Sequence, residues 1–219
     1  MEKTLEFLKK IKTNNNRDWF EANKEKYLTA KEEFEAVVEK IIKSTAKFDK
    51  TISSEMKGKD CTFRIYKDVR FSKDKTPYKS NMGASINPGG KKSPIAGYYL
   101  HVEPDAAFIA GGIWMPEPDV LNAIRQEIDY NVAALLKTLK SANFKKYFKG
   151  LDEEGKLRTA PKGFEKDHPQ LELLKNKSFV VRYAITDKQI LAKDFHETVI
   201  ASFKAMHPFL VYLRAATDK

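Results

Sequence analysis

The sequence predicts an α+β fold in a single domain. A mainly antiparallel sheet of about five strands packs against N-terminal, middle and C-terminal helices. Three observations predict it. Apolar residues recur at helical spacing at both ends and after residue 116. Period-two segments joined by short turns fill the middle. No linker-like tract divides the chain.

Leu5, Phe7, Leu8 and Ile11 sit at helical spacing and predict a first short helix. Asn14, Asn15 and Asn16 end it and offer side-chain caps for the next. A long second helix is expected from about Arg17 to about Ala46. Phe20, Tyr27, Phe34 and Ile41 recur every seven residues there, with Ala30 and Val37 between them and Glu and Lys opposite. Such a stripe lies on a sheet or a second helix, or forms a coiled-coil seam.

Strands follow. Cys61 to Tyr66 is the first, with Phe63 and Ile65 expected on one face. Met82 to Ile86 is the second, and Asn87-Pro88-Gly89-Gly90 is turn chemistry. Gly97 to Glu103 and Ala107 to Ile113 are the third and fourth, separated by Pro104-Asp105; such short connections imply an antiparallel meander.

Pro116 and Pro118 open a helix with Val120, Leu121, Ile124 and Ile128 on one face, and a second with Val132, Leu135, Leu136 and Leu139 follows. Lys149 to Pro169 is loop-rich, and Phe179 to Ile185 reads as the fifth strand. Thr186 or Asp187 caps a terminal helix carrying Ile190, Leu191, Phe195, Val199, Phe203 and Met206. Pro208 predicts a kink or restart near His207.

The chain has 219 residues, 42% hydrophobic and 32% charged, which fits a globular domain and is too apolar for disorder. Its one cysteine, Cys61, excludes an intrachain disulfide. Forty Lys and Arg against 30 Asp and Glu leave a net charge of +10, a mixed surface with a basic excess that favours anionic partners. Met1 to Asn16 lacks a signal-peptide h-region, and the longest apolar run, Ala106 to Met115, is too short for a bilayer. The expectation is a cytoplasmic protein with no membrane partner; cofactor and oligomeric state do not follow from composition.

One segment stands apart. Arg64 to Lys79 carries Arg64, Lys67, Arg70, Lys73, Lys75 and Lys79 with Asp68, Asp74, Tyr66 and Tyr78. Val69 and Phe71 read as anchors to the core, and in an extended chain Asp68 and Arg70 share the other face. A basic loop pinned by apolar anchors would preorganise an anion site, with arginine forks holding phosphate or carboxylate and lysines adding point charge. The other reading is a solvated ribbon in which Asp68 and Asp74 pair with neighbouring cations.

The pattern R-x-x-R-D-x-R-F-x-x-x-K-x-P-Y-K, matched here with Lys67 in place of an arginine, resembles the signature of a bacterial and fungal family of conserved hypothetical proteins, domain of unknown function 2461. The resemblance extends to Asn14–Phe20 (NNNRDWF), Gly111-Gly112-x-Trp114-x-Pro116, Pro161-Lys162-Gly163-Phe164 and His168-Pro169. Lys67 keeps the charge but not the bidentate fork. The resemblance implies no activity, substrate or cofactor; it implies that the central segment is a family feature.

Other features are weaker. Gly89-Gly90-Lys91-Lys92-Ser93 fails as a P-loop, because Ser85 stands at the first glycine position and Lys92 where Ser or Thr is needed. Gly111 and Gly112 permit close approach by a ligand or a packed helix. Trp114 is a core residue or a pocket wall. His101 and Glu103 share a strand face, as an acid–base pair, part of a metal site or, the favoured reading, a polar sheet surface. His168 lies in the Asp167-His168-Pro169 loop, as a catalytic residue or, the favoured reading, a turn contact, and Cys61 reads as a small core residue. Arg182, flanked by Val181 and Tyr183, would enlarge the basic site if its strand neighboured that of Arg64.

The function expected is binding of a small phosphate- or carboxylate-bearing ligand by Arg64, Lys67, Asp68, Arg70, Lys73, Lys75, Tyr78, Lys79 and Arg182, with or without catalysis. Asp68 orients the arginines, since adjacent cations lower its pKa. The alternatives are a nucleic-acid-binding module and a partner docked on an exposed stripe of Phe20, Tyr27 and Phe34.

Overall fold

The computed structural model describes residues 1–218. Helix α1 (Glu2–Thr13) buries Leu5, Phe7, Leu8 and Ile11 against α3 (Lys24–Thr45). Between them lies α2 (Arg17–Ala22), capped by Asn16, whose side chain accepts from Trp19 N at 2.9 Å. The long helix expected over residues 17–46 is therefore two helices. Asn23 leaves helical geometry at φ −117°, ψ 19°, and its amide donates back to the Trp19 carbonyl. Asparagine offers the backbone this local alternative to the helix, which spacing alone does not register. Phe20, Phe34 and Ile41 are buried and Tyr27 is half-buried among Phe7 and Phe20, so the stripe is covered within the chain rather than exposed.

Cys61 ends a one-turn helix, α4 (Gly58–Cys61). The strand expected over Cys61–Tyr66 is absent. That stretch makes only two isolated bridges, Thr62 with Ala84 and Tyr66 with Tyr78. Phe63 N bonds to the sheet at Gly83 O, but Lys67 N turns to Pro77 O. The change of partner breaks the alternation, leaving Phe63 43% exposed while Ile65 is 2% exposed.

The sheet is four-stranded and antiparallel, in the order β1 (Met82–Ile86), β2 (Gly97–Val102), β3 (Phe108–Ile113) and β4 (Phe179–Ala184). Met82, Ala84, Ile86, Tyr98, Leu100, Val102, Ile109, Ile113, Phe179 and Val181 fill one face. The helices α3 and α9 (Phe195–Thr217) cover it, and Tyr98 stacks on Phe203 with ring centres 4.5 Å apart. Gly111 is a packing glycine, because a Cβ there would collide with Met206 Sδ. Gly112 has φ +132° and lies against the Phe179 carbonyl, so no side chain fits.

Helix α5 (Pro118–Lys140) lies on α9 and breaks at Asn131, in line with the two helices expected there. Short turns α6 (Ala142–Lys145) and α7 (Leu171–Leu174) follow. Thr186 caps α8 (Asp187–Leu191) in a capping box with Gln189. The break near His207 does not occur; it falls at residues 192–194, and α9 runs through Pro208. Pro208 and Lys204 are both exposed, so solvent serves the carbonyl that the proline leaves without a donor.

A buried polar cluster ties the end of α3 to the sheet and α9. Asp49, 1% exposed, accepts from Tyr98 Oη at 2.9 Å, Arg214 Nη1 at 2.8 Å and Thr51 Oγ1 at 2.7 Å. His207 Nδ1 lies 2.8 Å from Tyr98 Oη. Burial opposes charge on Asp49, but the hydrogen bonds of His207, Thr51 and Arg214 outweigh it and hold the carboxyl far below its usual range.

Candidate functional site

The other face of the sheet is left open by the helices. Cross-strand register places Ser85, Tyr99, Ala110 and Arg182 in one row and Gly83, His101, Phe108 and Ala184 in the next. Ala110 is the small member between Tyr99 and Arg182, and with Gly97 and Gly112 it leaves a hollow. That hollow is a cavity of about 630 Å³. Phe63, Trp114, Met115 and Pro94 are among its walls, together with Lys91, Glu117 and Glu154. Trp114 is half exposed and is thus a pocket wall, not a core residue.

Three side chains at period two build a hydrogen-bonded row along β2. Tyr99 Oη lies 3.1 Å from His101 Nδ1, and His101 Nε2 lies 3.1 Å from Glu103 Oε2. Ser80 Oγ donates to the other Glu103 oxygen at 2.8 Å. Phe108 stacks on the His101 ring at 4.5 Å and 11°, while the Arg182 guanidinium lies 4.6 Å from the Phe108 ring centre. Burial lowers the His101 pKa; Glu103 opposes this only in part, and Arg182 adds to it. Burial raises that of Tyr99. Both shifts favour the uncharged forms, a neutral imidazole and a protonated phenol.

Two cations reach the cavity. Arg182 pairs with Asp152 at 2.8 Å and more loosely with Glu154 at 3.8 Å, a residue whose side chain is 64% exposed. Lys91 Nζ donates to the carbonyls of Thr62 at 2.7 Å and Lys59 at 3.4 Å, so its charge is held without a carboxylate.

The 64–79 segment lies elsewhere, and of the expected site residues only Arg182 lines the cavity. The segment folds back on itself as a ribbon. Asp68 takes both a bond from Arg70 Nε at 2.9 Å and one from Nη2 at 2.7 Å. Lys67 binds Asp74 Oδ2 at 2.7 Å and Thr76 Oγ1 at 2.6 Å, and Lys75 donates to the Val69 carbonyl at 3.0 Å. Arg64 and Lys73 are exposed. Lys79 is half-buried over the Phe63 ring; burial and then the Arg64 charge lower its pKa.

The ribbon's anchors are not Val69 and Phe71. Val69 is half-buried and Phe71 is 95% exposed. Ile65 and Tyr78 hold it instead, with Tyr78 stacked on Phe20 at 4.0 Å. Asn15 clamps the Tyr78 backbone from both sides, donating to its carbonyl at 2.9 Å and accepting from its N–H at 3.0 Å.

The family model described as "Conserved hypothetical protein (DUF2461)" matches residues 3–212. The chain belongs to the DUF2461 family. No curated protein and no solved structure matches it.

In this DUF2461 chain the signature thus forms a self-paired ribbon at one edge of the sheet. Thr62 bridges to β1, and β4 is the opposite edge strand. The backbones of Arg64 and Arg182 are therefore about four strand spacings apart, roughly 20 Å at ~4.8 Å each, and their strands are not neighbours. Cys61 is buried beside Met56, and burial followed by the Asp60 charge pushes its thiol up to about 11. His168 makes the expected turn contact, accepting from Gln170 N and binding Asp129. Sequence reasoning missed Tyr99, Phe108, Lys91 and Phe63. The alternation Tyr99, His101, Glu103 was the available signal; what β1, β3 and β4 add depends on register. Among the described residues no cluster of three or more His, Cys, Asp or Glu is placed to hold a metal, and no helix is long and apolar enough to cross a membrane.

Proposed function

We propose that this DUF2461 protein binds a small molecule with a planar or apolar body and an anionic group in the cavity on the open face of the sheet. The observation that carries this is the row Tyr99–Ala110–Arg182, in which a small residue sets a hollow between an aromatic ring and a guanidinium. Aromatic and aliphatic walls suit the body of such a ligand, as in most small-molecule sites. Arg182 takes the phosphate or carboxylate: Asp152 holds it firmly at 2.8 Å, but its second partner, Glu154, is loose and exposed and yields to a better anion. The self-paired ribbon is the frame rather than the site.

The test is a thermal-shift screen of nucleotides, sugar phosphates, aromatic carboxylates and random oligonucleotides. It compares wild type with Arg182→Ala and Arg70→Ala. A ligand at about 100 times its Kd stabilises by about 2.7 kcal/mol. The expected result is a ligand that stabilises wild type and Arg70→Ala but not Arg182→Ala. A ligand indifferent to Arg182, or an oligonucleotide whose effect is lost with Arg70, moves the function away from the cavity.

A further inference from the structure

We propose that Tyr99 is a general acid–base group for the cavity's ligand, with His101 receiving its proton and Glu103 positioning His101; this rests on the reading that the cavity takes a ligand. The geometry assigns the direction. A carboxylate only accepts, so the 3.1 Å contact to Glu103 places the imidazole proton on Nε2. Nδ1 is then the acceptor of the Tyr99 O–H at 3.1 Å. Ser80 fixes the far oxygen of Glu103, and the stacked Phe108 ring fixes the imidazole plane. A ring oriented from three sides is more than a polar sheet face requires.

The chemistry is a reversible proton abstraction. A substrate X–H, a hydroxyl or a C–H beside a carbonyl, gives its proton to Tyr99 Oη as the phenol proton passes to His101 Nδ1. The imidazolium formed lies against Glu103, the electron pair of the broken X–H bond stays on the substrate, and the reverse transfer restores both partners. No electron changes owner and no co-reactant is needed. The substrate class is a small hydroxy or oxo compound carrying a carboxylate or phosphate, since Arg182 stands two strands from Tyr99, about 10 Å at the backbone. The charged groups facing this pair are Glu103 beyond the end of β2, Arg182 of β4, Lys91 of the β1–β2 connection, and Glu117 and Glu154 in the cavity wall.

The test is deuterium wash-in from D₂O followed by proton NMR. The probes are phenylpyruvate, pyruvate and dihydroxyacetone phosphate, and binding of each is measured in parallel by saturation transfer. Exchange of at least one bound probe should exceed the buffer rate and fall by about 100-fold or more in Tyr99→Phe, which keeps the ring. Glu103→Gln should retain binding, slow exchange, and move its acidic limb to lower pH, because Glu103 raises the His101 pKa. A probe that binds through Arg182 yet exchanges no faster than buffer, or equally fast with Tyr99→Phe, overturns the relay alone. Binding by none of the probes counts against the ligand reading itself.

Discussion

At the scale of single residues, the 64–79 ribbon separates what is charged from what is held. Lys67 and Arg70 answer its two acids; the Lys67 hydrogen bond, with those of Thr76, keeps Asp74 far below the usual carboxylate range. Its weight in the fold rests on Ile65 and Tyr78. Ile65→Ala should cost about 2–5 kcal/mol, whereas Phe71→Ala should change stability by less than about 0.5 kcal/mol. Urea unfolding of the two variants checks this, and an equal loss in both would show that Phe71 is an anchor after all. The sequence exposed the cluster but not its anchoring. Val69 and Phe71 alternate with charged residues as core-facing residues of a strand would, yet that segment has no strand neighbour to impose a face.

At the scale of elements, the regular strands are readable within a residue or so, because turn residues bound them and β2 alternates between its buried and open faces, while β3 reads as a short continuous apolar run. Where the reading failed, a local backbone preference met a tertiary exception. Asn23 breaks a helix whose apolar spacing continues across it, and Pro208 sits where solvent tolerates it. His101 and Glu103 are legible as neighbours on a face, but the partners that make them a site come from Tyr99 and from three other strands. The glycine pair of β3 implies close approach, and Met206 of α9 and the Phe179 carbonyl supply it. Gly112→Ala forces a left-handed backbone that costs about 1–2 kcal/mol before any collision. Its thermal midpoint should fall by at least several degrees, at about 2–4 °C per kcal/mol for a chain of this size. An unchanged midpoint would mean that β4 can shift away from Phe179's present position.

At the scale of the whole molecule, stability should depend on pH in two windows. His101 has a depressed pKa in the fold, so the unfolded chain takes a proton first; its contribution is complete above about 6.5 and shrinks as pH falls toward the folded value. Asp49 is depressed as well, so its contribution is present above 3.8 and drains away below it. Urea midpoints across pH should show both declines. Asp49→Asn should cost about 3–5 kcal/mol at neutral pH by leaving Arg214 buried without its counter-ion and should flatten the lower window. A lower window of undiminished depth in that variant would assign it to other carboxyls. The Asn15 clamp has a separate outcome for how the chain is made. The turn between Tyr66 and Tyr78 closes over a short span, but its attachment to Asn15 closes 63 residues, a larger entropic cost. Asn15 leaves the ribosome well before Tyr78 does. The dock is thus already outside when its cargo emerges, and the ribbon has a place to settle before β2 to β4 have left the ribosome.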